Sequence, residues 1–191
     1  MKKTNNKGFS LVELIIVIAI MAILVGAIAP ALIRYIDKSR KSNDVSACKT
    51  IKTAIETAMA NEDAYEELVG DGSKDTVLQI VPNKALSITA ASGGSNSGVI
   101  VVKASTTTIS DDTINEIAKN IGDKSPKISY KKAGKKVTVS PKNYYAVITG
   151  KGSIFVGIGD SAATAAKYDD KGKVTNTDWY VIVPDTCDDY K

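Results

Sequence analysis

The distribution of apolar and polar residues predicts a long helix at the start of the chain. Residues 14–33 carry no charged side chain, and Leu, Ile, Val and Ala dominate on every side. At about 1.5 Å per residue, such a helix spans about 30 Å, the thickness of the hydrocarbon core of a bilayer. The segment is therefore expected to lie in lipid or to be buried against other apolar surfaces.

Beyond Pro30 the apolar residues narrow to one face. They recur mostly at spacings of three and four, as on one side of an amphipathic helix; they are Ile36, Val45, Cys48, Ile51, Ile55 and Met59. We predict one helix over residues 9–62, whose second half packs on a folded domain. Gly26 and Pro30 are predicted to kink or loosen it, because proline lacks an N–H donor and glycine adds flexibility.

The rest of the chain predicts a sheet with an inserted helix. Residues 63–98 are interpreted as a connector that holds a short helix over Ala64–Val69 and short apolar pieces such as Val77–Val81. Ser110 and Gly122 are suited to cap a helix between them. Strands are predicted over residues 99–103, 127–131, 136–140, 144–149, 153–158 and 178–183, with turns at 133–134 and 150–152. An antiparallel sheet on the amphipathic half-helix gives an α+β fold in two layers.

Composition narrows the function classes. The chain carries a formal charge of +4 and contains no histidine. Without Lys2, Lys3 and Lys7 the basic and acidic residues nearly balance, so no nucleic-acid partner is expected. The lack of histidine excludes Ser-His-Asp and Cys-His pairs and removes the commonest metal ligand. A Ser-Lys dyad stays open, but no spacing among the many serines and lysines singles one out. We expect a protein that is not an enzyme and holds no cofactor or metal.

Two local patterns resemble ligand sites but have simpler interpretations. Gly157, Gly159 and Ala162 fit the GxGxxA spacing of dinucleotide-binding turns, yet only 29 residues follow, too few for the βαβ unit that the motif needs. Acidic residues over 169–178 lack EF-hand spacing and a closing glutamate. A strand ending in a glycine turn and a solvated β-turn are the preferred interpretations.

The two cysteines, Cys48 and Cys187, lie far apart in sequence and form no CxxC pair. An exported domain could join them in a disulfide, whereas the alternative is two separate buried thiols. The sequence leaves both open.

A secretory signal peptide is one interpretation of the N-terminus, with the three lysines before an apolar stretch and Ala29–Ala31 as a cleavage site. The apolar stretch is longer than the roughly 7–15 residues of a signal peptide. Glu13 also interrupts its start, although a carboxylate at the centre of a membrane helix costs roughly 2.5–3.5 kcal/mol. Lys and Arg flank both ends, and their count slightly favours a cytoplasmic C-terminal side without settling the orientation.

The residues from Lys7 to Leu14, KGFSLVEL, closely resemble the class III leader junction of type IV pilins and pseudopilins. The resemblance implies that a prepilin peptidase cuts between Gly8 and Phe9 and that Phe9 is then N-methylated. Glu13 becomes the fifth residue of the mature chain, where the family has its glutamate, and Gly26 and Pro30 fall where many pilins have helix-breaking residues. The implied organisation is a leader over 1–8, an apolar helix over 9–33, its amphipathic half over 34–62 and a globular head over 63–191. Within the head we expect the sheet with its inserted helix over 99–183 and a tail over 184–191.

Physical chemistry gives Glu13 a role in this framework. The new α-amino group of Phe9 is mostly protonated near neutral pH, and an ammonium attracts a carboxylate strongly where water is excluded. We expect Glu13 to neutralise the Phe9 amine of a neighbouring subunit during assembly.

The resemblance implies a structural subunit of a surface filament that serves adhesion, motility or aggregation. Its expected partners are other pilin subunits, the prepilin peptidase, an assembly platform and membrane lipid. The expected location is the cytoplasmic membrane with the head outside, followed by an extracellular pilus. The alternatives are a pseudopilin of a type II secretion or competence system and a secreted binding domain with an ordinary signal peptide.

Overall fold

The structure, a computed structural model, describes residues 9–84, 86, 98–103, 109–132, 139–160 and 179–191. The chain divides into two compact units, Met1–Ser39 and Arg40–Lys191. The predicted turn at 133–134 and the acidic stretch at 169–178 lie outside the described residues.

The first unit contains the N-terminal part of helix α1, which runs over Leu11–Ala58. Every residue from 9 to 28 is exposed, although most are apolar. Among the described residues α1 alone is long and apolar enough to cross a membrane, and none of its most apolar window is buried. A core helix of a soluble protein can meet the same test of length and composition, but its apolar side chains are covered, whereas these are not.

The second unit begins within α1 and uses one face of that helix. The buried positions are spaced by three and four residues, as the sequence predicts; they are Asp44, Cys48, Ile51, Ala54, Ile55 and Ala58. The helix ends at Ala58, earlier than predicted, and a turn leads into helix α2 (Glu62–Val69). Asn61 caps α2 because its side chain accepts the Asp63 N–H, and Gly70 ends the helix with a positive φ of 62°.

Five strands form one antiparallel sheet in this unit. They are β1 (Thr76–Ile80), β2 (Val99–Lys103), β3 (Asn143–Ile148), β4 (Ile154–Gly159) and β5 (Trp179–Val183), in the order β2-β1-β3-β4-β5. Alternate residues of β3 point to opposite faces, so Tyr144, Ala146 and Ile148 join the core that contains Cys48 and Ile51 of α1. Tyr145 and Val147 join a second cluster with Trp179. The expected α+β fold, a long helix packed on an antiparallel sheet, is confirmed.

Helix α3 (Asp111–Ile121) has the predicted bounds and caps. The Ser110 hydroxyl accepts the Thr113 N–H, and Gly122 follows the last turn with φ of 119°. Glu67 of α2 accepts hydrogen bonds from the Ser110 N–H and hydroxyl at 2.9 and 2.8 Å. These bonds, together with one from Thr113, lower the pKa of Glu67 against the opposing effect of burial, so the cap of α3 is anchored to α2.

Three expectations about the sheet differ from the structure. Residues 127–131 are not a strand, although Ile128 and Tyr130 alternate with polar residues. The sheet also begins earlier than expected, because β1 lies inside the predicted connector and pairs with both β2 and β3. Residues 139–140, the described part of the predicted strand 136–140, are not in a strand either.

The turn between β3 and β4 lies where the sequence predicts it, and the predicted tail has a structure of its own. The turn at Gly150–Gly152 closes the β3–β4 hairpin, with Gly152 at φ of 76°. The expected tail contains a short 3₁₀ helix, Asp188–Tyr190, and Tyr190 is buried in the core with the side chains of Cys48 and Tyr180 in the same cluster.

Candidate functional site

The N-terminal segment has a defined local structure at the start of α1. Ser10 occupies the N-cap position, because α1 begins at Leu11 and the Leu14 N–H donates to the Ser10 carbonyl at 3.2 Å. The Ser10 N–H in turn donates to Glu13 Oε2 at 2.8 Å. This is one of the two hydrogen bonds of a capping box, in which a glutamate at the third helical position reaches back to the cap residue. Glu13 therefore stabilises the end of its own helix.

The capping bond is a function of Glu13 that the sequence interpretation missed. The Ser-x-x-Glu signature of a capping box is present in Ser10–Glu13 and could have revealed it. A carboxylate in the first turn also interacts favourably with the helix dipole. An assembly role for Glu13 must therefore be compatible with this local bond.

The predicted processing residues are Gly8 and Phe9. Phe9 precedes the first helical turn and is 87% exposed, while Gly8 lies outside the described residues. Cleavage after Gly8 and methylation of Phe9 stay predictions.

Gly26 and Pro30 lie one turn apart within α1, which continues through both. In an α-helix the N–H of residue 30 would bond to the carbonyl of residue 26, and proline has no N–H to donate. A Cβ added at Gly26 would meet no atom within 4 Å. The local kink or loosening at this pair stays a prediction.

A second polar site lies where α1 enters the head. The Asp44 carboxylate is fully buried and accepts the backbone N–H groups of Ser129 and Tyr130 at 2.7 and 2.9 Å. Burial raises the pKa of Asp44, and the two hydrogen bonds oppose that rise. Lys41 lies over the Tyr130 ring, 5.2 Å from its centroid. We call the contact of the Asp44 carboxylate with these two N–H groups the Asp44 clamp.

The clamp explains why residues 127–131 are not a strand. The N–H groups of Ser129 and Tyr130, which a strand would direct to a neighbouring strand, are bound to the carboxylate instead.

The two cysteines are free thiols in this structure. Cys48 is fully buried, and Cys187 is half-buried against the same core. Burial raises the pKa of both thiols. Their pairing in a disulfide stays a prediction.

The glycine pattern at the end of β4 has a packing role. A Cβ on Gly157 would overlap the Tyr180 carbonyl oxygen and lie 2.7 Å from the Trp179 ring. Gly157 thus allows β5 to approach closely, which agrees with the interpretation of this pattern as part of a strand. Ala162, the last residue of the pattern, lies outside the described residues. In the described part of the chain, no three His, Cys, Asp or Glu residues are grouped to hold a metal ion.

Comparison with known proteins supports the pattern at the N-terminus. Residues 3–29 match the family model of the prokaryotic N-terminal methylation motif. The chain is 36% identical to the type IV major fimbrial protein FimA of Dichelobacter nodosus over 76 residues, which are 40% of this chain and 48% of that protein. It is 34% identical to a fimbrial protein of Moraxella nonliquefaciens over 91 residues, which are 42% of this chain and 59% of the relative.

A further relative is the prepilin peptidase-dependent protein A of Clostridium perfringens, 37% identical over 68 residues, 36% of this chain and 48% of that protein. The chain thus spans about half the length of the curated relatives that it matches. No solved structure matches the chain. These findings confirm the resemblance at the N-terminus: the chain carries the methylation motif of prokaryotic prepilins and is similar to type IV pilins and fimbrial proteins.

Proposed function

We propose that this chain is a type IV prepilin that is trimmed after Gly8 and polymerises through α1 into a surface filament. The observation that carries the proposal is the uncovered apolar surface of α1, where every residue from 9 to 28 is exposed, next to Glu13. Exposed apolar patches larger than a few hundred Å² mark membrane or protein interaction sites. Lipid covers this surface before assembly, and the α1 helices of other subunits cover it in the filament.

Processing supplies the charge that Glu13 needs. A cut between Gly8 and Phe9 creates an α-amino group four residues before Glu13, and such groups titrate near pH 8. A carboxylate offers two oxygens with about four acceptor sites, so the bond from Ser10 still permits an ammonium partner. The Phe9 amine of a neighbouring subunit would neutralise Glu13 when the helices dock, and an unpaired charge would oppose docking in any other register.

The proposed partners follow from this scheme. They are identical or related pilin subunits, a prepilin peptidase that recognises the Lys7–Glu13 region, and the membrane platform that assembles the filament. The orientation has the leader in the cytoplasm and the head outside. The role is structural rather than enzymatic, and the filament would serve adhesion, motility or aggregation.

The mature N-terminus tests the processing step. Mass analysis of the N-terminal peptide is expected to begin at Phe9 and to carry one added methyl group. A chain that begins at Leu32 would be a secreted protein with an ordinary signal peptide and would overturn the proposal.

Two substitutions at Glu13 separate its capping and assembly roles. Glu13→Ala removes both the cap acceptor and the charge, whereas Glu13→Gln keeps an amide oxygen that can accept the Ser10 N–H. If charge neutralisation drives docking, both variants should be inserted and cleaved normally but yield few filaments. Glu56→Gln, which removes an exposed carboxylate paired with Lys52 on the same helix, is the matched control and should assemble normally.

The readouts are filaments sheared from cells and the amount of subunit left in the membrane. Normal filament yield from Glu13→Gln would refute the charge mechanism, because that variant cannot pair with an ammonium as an ion.

A further inference from the structure

The two cysteines lie on elements that meet in the core of the head. Cys48 is on α1, one helical turn after Asp44, and Cys187 immediately precedes the 3₁₀ helix Asp188–Tyr190. Residues four apart share a helix face, so Cys48 and Asp44 face the same side of α1. Both are fully buried there.

A chain of contacts connects that face of α1 to Cys187. The Asp44 clamp holds the backbone of Tyr130, whose ring meets the Tyr190 ring edge-on at a centroid distance of 5.7 Å. The Tyr190 N–H donates to the Cys187 carbonyl at 3.0 Å. The C-terminal turn is therefore seated on the side of α1 that carries Cys48.

Further contacts fix the C-terminal turn in place. The Cys187 N–H donates to the Val181 carbonyl of β5 at 3.0 Å, and the Tyr190 ring lies 5.3 Å from the Tyr180 ring. The Cys187 side chain packs against the core cluster that contains Cys48.

We propose that Cys48 and Cys187 are a modification site, at which an intramolecular disulfide fastens the C-terminus to α1. The inference rests on the proposed function in one respect, namely that the head is exported to a compartment where disulfides form and persist. The free thiols described above are then the reduced form of this pair.

The reaction is a thiol–disulfide exchange with an oxidised dithiol protein of that compartment. The half-buried Cys187 loses its proton and attacks one sulfur of the acceptor disulfide, which releases an acceptor thiolate and forms a mixed disulfide. Cys48 then loses its proton and attacks the Cys187 sulfur, and the second acceptor thiolate leaves. The cysteine pair loses two electrons and two protons, and the acceptor becomes a dithiol.

The order of attack follows from exposure. Cys48 is 0% exposed, so an acceptor protein cannot reach it while the C-terminal turn is seated, whereas Cys187 is partly accessible. We expect the mixed disulfide to form on Cys187.

The bond would enclose the whole sheet, because β1 to β5 all lie between residues 48 and 187. For a loop of this order the chain-entropy model predicts a shift of the unfolding equilibrium toward the folded state by roughly several thousand-fold. Reduction should accordingly lower the temperature at which the head unfolds.

The test uses the full chain taken from cell membranes. Free thiols are blocked with N-ethylmaleimide in denaturant, once before and once after reduction, and the intact mass and peptide map are recorded. The expected result is no alkylation before reduction, two alkylated cysteines after it, and a cross-linked peptide pair that contains Cys48 and Cys187. Cys48→Ser and Cys187→Ser should each leave one thiol that reacts without reduction. Two alkylated cysteines before reduction in the parent chain would overturn the inference.

The same spectra separate this inference from the proposed function. A chain that begins at methylated Phe9 with two free thiols contradicts the disulfide alone. A chain that begins at Leu32 with the disulfide formed contradicts the prepilin proposal alone.

Discussion

The Asp44 clamp gives a quantitative test of how α1 is attached to the head. Asp44→Ala removes the acceptor of two backbone N–H groups, and hydrogen bonds to charged groups contribute about 1.5–3 kcal/mol each. The raised pKa of Asp44 shows that burial disfavours the ionised carboxylate more than the two hydrogen bonds favour it, so the cost of burying the charge reduces what the clamp contributes. We therefore expect a loss of about 3 kcal/mol in the free energy of unfolding, at the low end of the summed range.

Asp44→Asn has a smaller expected effect. Its amide oxygen can still accept one N–H, but its NH₂ group faces the other, so roughly one of the two bonds is lost and the cost is about 1–2 kcal/mol. The free energy of unfolding should therefore decrease from the parent to Asp44→Asn and further to Asp44→Ala.

The pH dependence follows from the direction of the pKa shift. The folded-state pKa of Asp44 is above its ordinary value of 3.8, so the folded state binds the proton more tightly than the unfolded state. The resulting contribution to stability is complete below pH 3.8 and is lost as the pH rises through the folded-state pKa. The difference in stability between the parent and Asp44→Asn should change in this acidic interval, because the variant has no carboxyl group at this position.

Urea unfolding of the full chain in detergent provides the measurement. Trp179 is the single tryptophan and is fully buried in β5, so its fluorescence reports on the folded sheet. Asp185→Asn, at an exposed carboxylate in the same unit, should leave the midpoint unchanged. An Asp44→Ala chain within about 0.5 kcal/mol of the parent, the range of ordinary surface substitutions, would refute this account of the clamp.

Two further predictions concern the sheet and use the same unfolding assay. Gly157→Ala should destabilise the head by several kcal/mol or prevent folding, since its Cβ would overlap the Tyr180 carbonyl and the Trp179 ring; a stability equal to that of the parent would contradict the packing described. Tyr180→Phe should cost about 1 kcal/mol, because the hydroxyl donates to the Val139 carbonyl at 2.7 Å. Tyr144→Phe is its control and should be neutral or stabilising, because among the described residues the buried Tyr144 hydroxyl has no hydrogen-bond partner.

The features that the sequence predicted correctly are encoded locally. The presence of one long helix α1 and the position of its buried face follow from the apolar run and the three- and four-residue spacing, and the bounds of α3 follow from Ser110 and Gly122. The β3–β4 hairpin likewise follows from its glycine turn at 150–152. Such signals act over a few residues, so they can be interpreted without knowledge of the fold.

The errors arose where distant parts of the chain decide the structure. The alternation over 127–131 suits a strand, but its N–H groups are bound by Asp44, which lies 85 and 86 residues earlier than Ser129 and Tyr130. The position of β1 between β2 and β3 also depends on pairing with residues far along the chain. No local pattern records such contacts.

The candidate sites also divide into features that a local motif encodes and features that depend on distant contacts. The order Gly8, Phe9, Glu13 is a local motif and could be predicted, whereas the convergence of Cys48 and Cys187 on one core depends on how the C-terminal turn packs.

In the proposed filament, the burial pattern of α1 would determine where a pulling force acts on each subunit. Tension along the α1 backbone would pass to the rest of the head through the residues of α1 that are bound to it. Asp44 is the first fully buried residue of α1, so it would be the first to transmit this force. Both clamp bonds end on one carboxylate, so they would share a pulling force and yield together rather than one after the other. The tensile strength of each head would then depend on a single ionisable side chain, and an acidic surrounding would change the force at which heads deform.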